Sequence, residues 1–269
     1  MEAVILEKVA GSRVAKIILN RPERRNAINT QVVDGVMKAL EEIRADRQIN
    51  AVITKGNGPT YSSGLDLYYL RAQSEGPPAD WDKFSPTAIM FEAIRNFPKV
   101  TIAQVHGYCL GGALALMNSH DLVIAATDAQ IGMPEIMRGS FGQMATSTLF
   151  HSGLPMKKTA LIQLLGRNIS GAEADRLGLV SMAVEPAELE NTTMKVAQEI
   201  ASRHPGVLSS AKIAVQMGRN LSLPDAMRLD QLVASRQRLI VDPLDKVEEY
   251  LQSQKGGPNV GYRRSDSES

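Results

Sequence analysis

The first half of the chain alternates between two hydrophobic periods, and this alternation restricts the possible folds more than any other feature. Continuous apolar runs of strand length occupy residues 16–19, 51–54, 100–105 and 122–126. Between the first two runs, apolar residues recur with helical spacing from Val32 to Ile43. Strands separated by helices are typical of an α/β domain with a largely parallel sheet, and continuous apolar strands fit a sheet that is buried on both faces. The sequence therefore predicts an α/β fold.

The pattern becomes mostly helical after about residue 155. Ser170 and Glu173 have the spacing of a capping box, which predicts a helix that ends near Gly178. We expect one more strand at residues 180–184. The same signals predict four further helices, at about residues 186–203, 206–218, 224–240 and 245–254, and a loose tail from Gly256. The predicted organisation is an α/β core of residues 1–200 and a C-terminal helical region of residues 201–269.

Composition excludes several classes of function. The 269 residues contain 30 Lys and Arg against 29 Asp and Glu, so the formal charge of +1 gives no electrostatic reason to expect nucleic acid or an anionic membrane as partner. A single cysteine, Cys109, excludes an internal disulfide framework and a cysteine-based zinc site. No apolar run approaches the roughly 20 residues of a membrane span. No basic region precedes the apolar residues near Met1, so we expect no secretory signal and a cytoplasmic protein.

Two small-residue turns are the best candidates for a binding site. Residues 62–67 read Ser-Ser-Gly-Leu-Asp-Leu and follow the second apolar run, whereas residues 111–113 read Gly-Gly-Ala and precede an apolar stretch of helical character. The first N–H groups of a helix have no intrahelical partner, and glycine lets a ligand approach the backbone closely. The N–H groups of Leu65 and Gly112 could therefore converge on one oxygen as an oxyanion hole. Each turn taken alone is equally compatible with simple packing of a strand against a helix.

Six motifs in order along most of the chain carry a family resemblance. They lie at residues 19–27, 62–66, 106–113, 121–125, 132–135 and 171–180. In this order and at these intervals they resemble the enoyl-CoA hydratase/isomerase (crotonase) superfamily. The resemblance implies a spiral of ββα units, a CoA-thioester substrate, a role in fatty acid metabolism, and a homotrimer or dimer of trimers built partly by the C-terminal helices. Because coenzyme A belongs to the substrate, neither a separate cofactor nor a metal is expected.

The resemblance also implies roles for individual residues. The N–H groups of Leu65 and Gly112 would hold the thioester oxygen, and Glu135 would be the catalytic acid and base. The residues expected along the substrate and its CoA moiety are Arg24, Arg25, Ala27, Ser62, Gly64, Asp66, Tyr69 and Gly111.

The sequence departs from the family at a second catalytic position. Up to two glutamates transfer protons in this family, and the one that Glu135 does not match falls at Ala115. Ala115 lies three residues after Gly112, so on a helix both would face the same way, and a methyl group cannot transfer a proton. One carboxylate is enough to move a proton between carbons 2 and 4 of an enoyl thioester through an enolate. The residues therefore favour Δ3,Δ2-enoyl-CoA isomerisation.

Other reactions stay open. Some family members add water, or cleave hydrated aromatic side chains, with one matching glutamate helped by a tyrosine or serine. Tyr68, Tyr69 and Tyr108 lie close to the two glycine turns in sequence, so a hydratase for a branched or aromatic acyl group, or a hydratase-lyase, is the alternative. A third interpretation is an acyl-CoA binder without catalytic activity, which the alanine at position 115 would favour.

Overall fold

The fold is taken from a computed structural model that describes residues 2–74 and 83–241. The chain divides into two units, residues 1–208 and residues 209–269. The helix predicted at residues 245–254 and the tail from Gly256 lie outside the described residues. The boundary predicted at residue 200 stays a prediction.

Strands of the first unit form two sheets. They are β1 (Val4–Lys8), β2 (Val14–Leu19), β3 (Ala51–Gly56), β4 (Val100–Val105), β5 (Tyr108–Leu110), β6 (Leu122–Ala126), β7 (Gln130–Gly132), β8 (Ile169–Ser170) and β9 (Met182–Val184). The larger sheet has the order β1-β2-β3-β4-β6-β9, and only its β1–β2 pairing is antiparallel. The smaller sheet has the order β5-β7-β8. The predicted, largely parallel α/β sheet is confirmed.

Helices cover the larger sheet and continue beyond it. They are α1 (Thr30–Ala45), α2 (Leu67–Ser74), α3 (Pro86–Arg95), α4 (Gly112–Asn118), α5 (Gln143–His151), α6 (Met156–Leu165), α7 (Gly171–Arg176), α8 (Leu189–Ala201), α9 (Pro205–Gly218) and α10 (Leu223–Arg238). The capping residue predicted for α7 is confirmed, because Ser170 Oγ accepts a hydrogen bond from the Glu173 N–H at 3.1 Å. The helical character predicted for the C-terminal region is confirmed by α9 and α10.

The topology brings the two glycine turns together. β3 and β4 are adjacent and parallel, so the segments that leave their carboxyl ends emerge at the same edge of the sheet. The two segments then pair with each other. The Ser62 N–H donates to the Tyr108 carbonyl at 3.0 Å, and the Leu110 N–H donates to the Ser62 carbonyl at 3.2 Å. The site described below is built on these two connections.

Helix α8 is fixed to the larger sheet by a charged cluster around Glu190. This carboxylate accepts hydrogen bonds from Lys16 Nζ at 2.8 Å, from Gln104 Nε2 at 2.9 Å and from Lys55 Nζ. The three donors lie on β2, β4 and β3, so one side chain of α8 joins three neighbouring strands. Burial opposes the ionisation of Glu190, but the hydrogen bonds outweigh it and lower its pKa to about 2.

We predict that Glu190→Gln lowers the free energy of unfolding at pH 7 by on the order of 1 kcal/mol, because solvent screens a half-exposed ion cluster. A lowered folded-state pKa stabilises the protein above the ordinary value of 4.5, and this stabilisation is lost as the pH falls toward about 2. In urea unfolding at a series of pH values, the free energies of unfolding of Glu190→Gln and the parent should therefore approach each other as the pH falls through this range. Glu188→Gln, which changes a carboxylate that makes no ion pair with the described residues, is the control and should match the parent at every pH. A difference between Glu190→Gln and the parent that does not depend on pH would contradict the prediction.

Candidate active site

Two backbone N–H groups lie side by side where the glycine turns meet. Gly64 has φ +94°, and a methyl group added to it would lie 2.5 Å from the Leu110 carbonyl oxygen and 3.2 Å from the Gly112 nitrogen. A methyl group on Gly112 would lie 3.3 Å from the Leu65 nitrogen. Within residues 2–74 and 83–241, neither the Leu65 N–H nor the Gly112 N–H donates to a protein acceptor. Two unpaired donors are thus available to one acceptor oxygen.

The Glu135 carboxylate lies beside these donors. It belongs to a 3-10 turn, Pro134–Arg138, that follows β7. A methyl group on Gly111 would lie 2.2 Å from Glu135 Oε1, so the carboxylate rests directly against a position that only glycine can occupy. Glu135 Oε2 is buried and has no hydrogen-bond partner among the described residues. Burial raises the pKa of Glu135 above its ordinary value, although the Arg138 charge partly opposes this.

We call the space between these groups the central cavity. It has a volume of about 140 Å³. It is lined by Ser63, Gly64, Leu65, Leu67, Leu70, Gly111, Gly112, Pro134, Glu135, Arg138, Ser140, Phe141, Gly142, Gln143, Met144 and Ala145. The two N–H groups and the carboxylate therefore share one small, mainly apolar chamber. A half-buried carboxylate with a raised pKa in such a chamber can act as a base and then as an acid.

Ala115 does not form part of the cavity wall. It lies on α4, one turn after Gly112, and is fully buried. Gly112, three residues earlier on the same helix, does line the cavity. The described cavity wall therefore contains one carboxylate, that of Glu135.

The turn after β2 holds the first glycine segment in place through Asn26. Arg25 and Asn26 both have left-handed backbone conformations, with φ of 50° and 52°. The buried Asn26 side chain accepts from the Arg21 N–H at 2.8 Å and donates to the carbonyl oxygens of Asn57 at 2.9 Å and Thr60 at 2.7 Å. These bonds join the connection after β2 to the connection after β3. The family motif at residues 19–27 includes Asn26 but assigns it no role. The one signal in the sequence is that asparagine tolerates the left-handed backbone conformation of a tight turn better than most residues.

Several residues that were expected to contact the substrate also hold this turn together. Ser62 is fully buried, and its hydroxyl donates to the Asn26 carbonyl at 2.8 Å. Ala27 is buried, and its carbonyl accepts from the Arg21 guanidinium at 2.7 Å. The Arg25 carbonyl accepts from the Ser63 N–H at 2.9 Å. The side chain of Ser62 is therefore engaged inside the protein, which its position in a small-residue turn did not indicate.

A second, polar space lies on the other side of the first turn of α2, and we call it the arginine–tyrosine cleft. Its volume is about 370 Å³. It is lined by Arg21, Arg24, Asn29, Thr30, Asp66, Tyr68 and Tyr69. Arg21 pairs with Asp66 at 3.0 Å, whereas the Arg24 guanidinium stacks 5.8 Å from the centre of the Tyr68 ring and has no carboxylate partner among the described residues. The cleft can therefore accept an anionic group.

Asp66 has two structural roles in the cleft. Its carboxylate accepts from the Tyr68 N–H at 3.0 Å near the start of α2. Burial opposes its ionisation, but the hydrogen bond and charge of Arg21, together with the backbone N–H groups of Tyr68 and Tyr69, outweigh burial and lower the pKa of Asp66. The Asp66 carboxylate is therefore ionised, binds the backbone at the start of α2 and forms part of the cleft wall.

Other candidate groups do not reach the central cavity. His106 Nε2 lies 2.8 Å from the Gly58 carbonyl oxygen, and burial raises the pKa of the Cys109 thiol far above its ordinary value. Within the described residues, no three His, Cys, Asp or Glu side chains are grouped to hold a metal ion. No helix among them is both long and apolar enough to cross a bilayer.

Comparison with known proteins identifies the family. The sequence model of the enoyl-CoA hydratase/isomerase family matches residues 10–239. The chain belongs to this family. A short-chain-enoyl-CoA hydratase from Clostridium acetobutylicum is 31% identical over 233 residues, covering 84% of this chain and 86% of that protein. A hydroxycinnamoyl-CoA hydratase-lyase from Pseudomonas fluorescens is 29% identical over 212 residues, covering 78% of this chain and 77% of that protein.

The fold agrees with that of solved members of this family. The crystal structure of an enoyl-CoA hydratase from Mycobacterium smegmatis matches with a TM-score of 0.87 and 22% identity, covering 94% of this chain and 97% of that one. The resemblance noted in the sequence is confirmed, and with it the crotonase-type α/β fold. The chain is an enzyme of the hydratase/isomerase family.

We predict that Gly64→Ala destabilises the protein more than Gly11→Ala, by at least about 1 kcal/mol. Both glycines have positive φ, +94° and +68°, so both variants include the left-handed backbone cost of roughly 1–2 kcal/mol. A methyl group at Gly11 meets open space, whereas one at Gly64 collides with the Leu110 carbonyl. Urea unfolding of the two variants measures the difference. Equal losses would show that the close approach of the two turns is not required.

Proposed function

We propose that this enzyme transfers a proton at carbon 2 of an enoyl-CoA thioester through an enolate, with Δ3,Δ2-isomerisation as the reaction that the geometry supports best. The observation that carries the proposal is the placement of one half-buried carboxylate, Glu135, beside the unpaired N–H groups of Leu65 and Gly112 in a single cavity. The position at which a second glutamate would act is the buried Ala115.

In the proposed mechanism, the two N–H groups donate hydrogen bonds to the thioester carbonyl oxygen and stabilise the charge that develops on it. Each preorganised donor of this kind contributes about 2.7–4 kcal/mol to catalysis. Glu135 removes a proton from carbon 2, and the electron pair moves into the enolate. The enolate then takes the same proton at carbon 4, which moves the double bond from carbons 3 and 4 to carbons 2 and 3. The raised pKa of Glu135 helps it to return the proton.

The arginine–tyrosine cleft is our proposed site for the nucleotide end of CoA. Arg24 offers a guanidinium to a phosphate, and the aromatic ring of Tyr69 lies on the same wall. Leu67 and Leu70 face the central cavity while Tyr68 faces the cleft, so the start of α2 separates the two ends of the substrate. The backbone of Gly64 and Asp66, together with that of Arg25 and Ala27, would follow the pantetheine.

Hydration is the second candidate reaction. The related proteins named as hydratases favour it, and one relative is named a hydratase-lyase. Within the described residues no tyrosine lines the central cavity, since Tyr68 and Tyr69 lie in the cleft and Tyr108 is on neither wall. Ser140 does line the cavity, and a serine hydroxyl can orient a water molecule, so a serine-assisted hydratase is the form of this alternative that the cavity lining favours.

Self-association is also proposed. Leu161, Leu164 and Leu165 are exposed on α6 at a spacing that places them on one helix face, and exposed apolar surface is typical of interaction sites. We propose that this surface contributes to a homotrimer or a dimer of trimers. The cytoplasmic location stays a prediction from the sequence.

We predict that Glu135→Gln reduces turnover of hex-3-enoyl-CoA by at least ~100-fold while leaving its dissociation constant nearly unchanged, because glutamine keeps the shape but cannot transfer the proton. The measurement is steady-state isomerisation, with hydration of crotonyl-CoA assayed in parallel to distinguish the two reactions. Glu188→Gln is the matched control, since Glu188 is an exposed glutamate in another 3-10 turn. Unchanged turnover in Glu135→Gln would exclude the proposed base.

Turnover in the parent should also depend on pH in a defined direction. The base must be ionised, and its pKa lies above the ordinary 4.5. The kcat/KM value should therefore fall as the pH is lowered through a pKa above 4.5, and this acidic limb should be absent from the residual activity of Glu135→Gln.

A further inference from the structure

An arginine on the wall of the central cavity has no role in the proton transfer. Arg138 is the last residue of the 3-10 turn that carries Glu135. Side chains three residues apart in a 3-10 helix eclipse one another, with a separation along the axis of about 6 Å. Arg138 therefore projects on the same side as Glu135, one turn further along the cavity wall, which it also lines.

The charge of Arg138 is not neutralised by the protein. Among residues 2–74 and 83–241, no carboxylate lies within 4.0 Å of its guanidinium, and it takes part in no hydrogen bond. The acid on the cavity wall is Glu135, whose carboxylate lies too far away for an ion pair and whose pKa burial raises. The exposed Arg138 guanidinium is therefore an unpaired positive charge on the cavity wall.

Two neutral polar side chains accompany Arg138. Ser140 and Gln143 line the same cavity and can both donate hydrogen bonds. By contrast, the side chains of Leu67, Leu70 and Met144 on the wall are apolar. Arg138, Ser140 and Gln143 are all exposed, so they offer three donors on the solvent-accessible part of the cavity wall.

We propose that the acyl group of the natural substrate ends in a carboxylate that pairs with Arg138, so that the substrate class is the mono-CoA thioester of an unsaturated dicarboxylic acid of about six carbons. The proposal rests on the proposed function, because it places carbon 2 at Glu135. Guanidinium and carboxylate groups match in geometry and charge. From carbon 2, four bonds of an extended chain cover roughly the 6 Å that separate successive eclipsed side chains.

The CoA phosphates are a less suitable partner for Arg138. The unpaired guanidinium that suits a phosphate, Arg24, lies in the arginine–tyrosine cleft beyond the start of α2. Arg138 instead shares its turn with the catalytic carboxylate, on the wall that faces the reacting carbons. An anion that reaches Arg138 is therefore part of the acyl group.

Equilibrium binding of a matched pair of saturated thioesters tests the proposal without turnover. Adipoyl-CoA and hexanoyl-CoA have the same number of acyl carbons and differ in a terminal carboxylate or methyl group. We expect the parent to bind adipoyl-CoA at least about 10-fold more tightly, and Arg138→Met to lose about 10- to 100-fold in affinity for adipoyl-CoA with little change for hexanoyl-CoA. Arg176→Met, which removes an exposed arginine on α7 outside the cavity, is the control and should bind as the parent does.

Two results would overturn the proposal. One is equal affinity of the parent for both thioesters, or a preference for hexanoyl-CoA. The other is an equal loss of affinity for both thioesters in Arg138→Met, which would place Arg138 on the CoA moiety.

A second assay compares isomerisation of the mono-CoA thioester of hex-3-enedioic acid with that of hex-3-enoyl-CoA. Selective binding of adipoyl-CoA without turnover of either alkene would support the Arg138 site and contradict the proposed reaction, so the two failures are distinguishable.

Discussion

The site depends on the close approach of two backbone segments that leave adjacent parallel strands. Gly64 packs against the Leu110 carbonyl so closely that a methyl group would lie 2.5 Å from that oxygen. This contact places the N–H of Leu65 next to the N–H of Gly112. The pairing of β3 with β4 sets the approach, and the Asn26 side chain holds the turn beneath it through three hydrogen bonds. The geometry of the two donors is therefore a consequence of the sheet rather than of any single side chain.

The surroundings of Glu135 raise the pKa of its carboxyl group. Glycine at position 111 lets the carboxylate lie against the backbone, and the surrounding apolar wall removes water from it. A charge in such surroundings is unfavourable, so burial raises the pKa of the carboxyl group. Arg138 opposes this effect from one turn away. The net result is a raised pKa for Glu135, with the Arg138 guanidinium on the same turn and the same cavity wall.

The sequence predicted the parts of the fold that local pattern determines. The runs that became β4 and β6, and the Ser170 cap of α7, could be read directly because hydrophobic period and capping chemistry are local. Strand β1 was not predicted, since its residues are half exposed at a sheet edge and their pattern is weak. The two-residue strand β8 and the three-residue strands β5 and β7 are too short for a periodic signal.

The candidate site, like the fold, could be predicted from the sequence in part. Family motifs located Leu65, Gly112 and Glu135, and the structure brings all three into one cavity. The same motifs did not separate Ser62, whose hydroxyl is used inside the protein, from residues that face open space. They also gave no role to Asn26 or Arg138, because the buried hydrogen bonds of Asn26 and the place of Arg138 on the cavity wall depend on segments that are distant in sequence.

A crystal structure of the protein with a bound, unreactive acyl-CoA thioester tests the central claim most directly. The account predicts that the thioester oxygen lies about 2.7–3.1 Å from both the Leu65 nitrogen and the Gly112 nitrogen, with carbon 2 against the Glu135 carboxylate. A thioester oxygen that contacts neither nitrogen, or that points away from the central cavity, would contradict it.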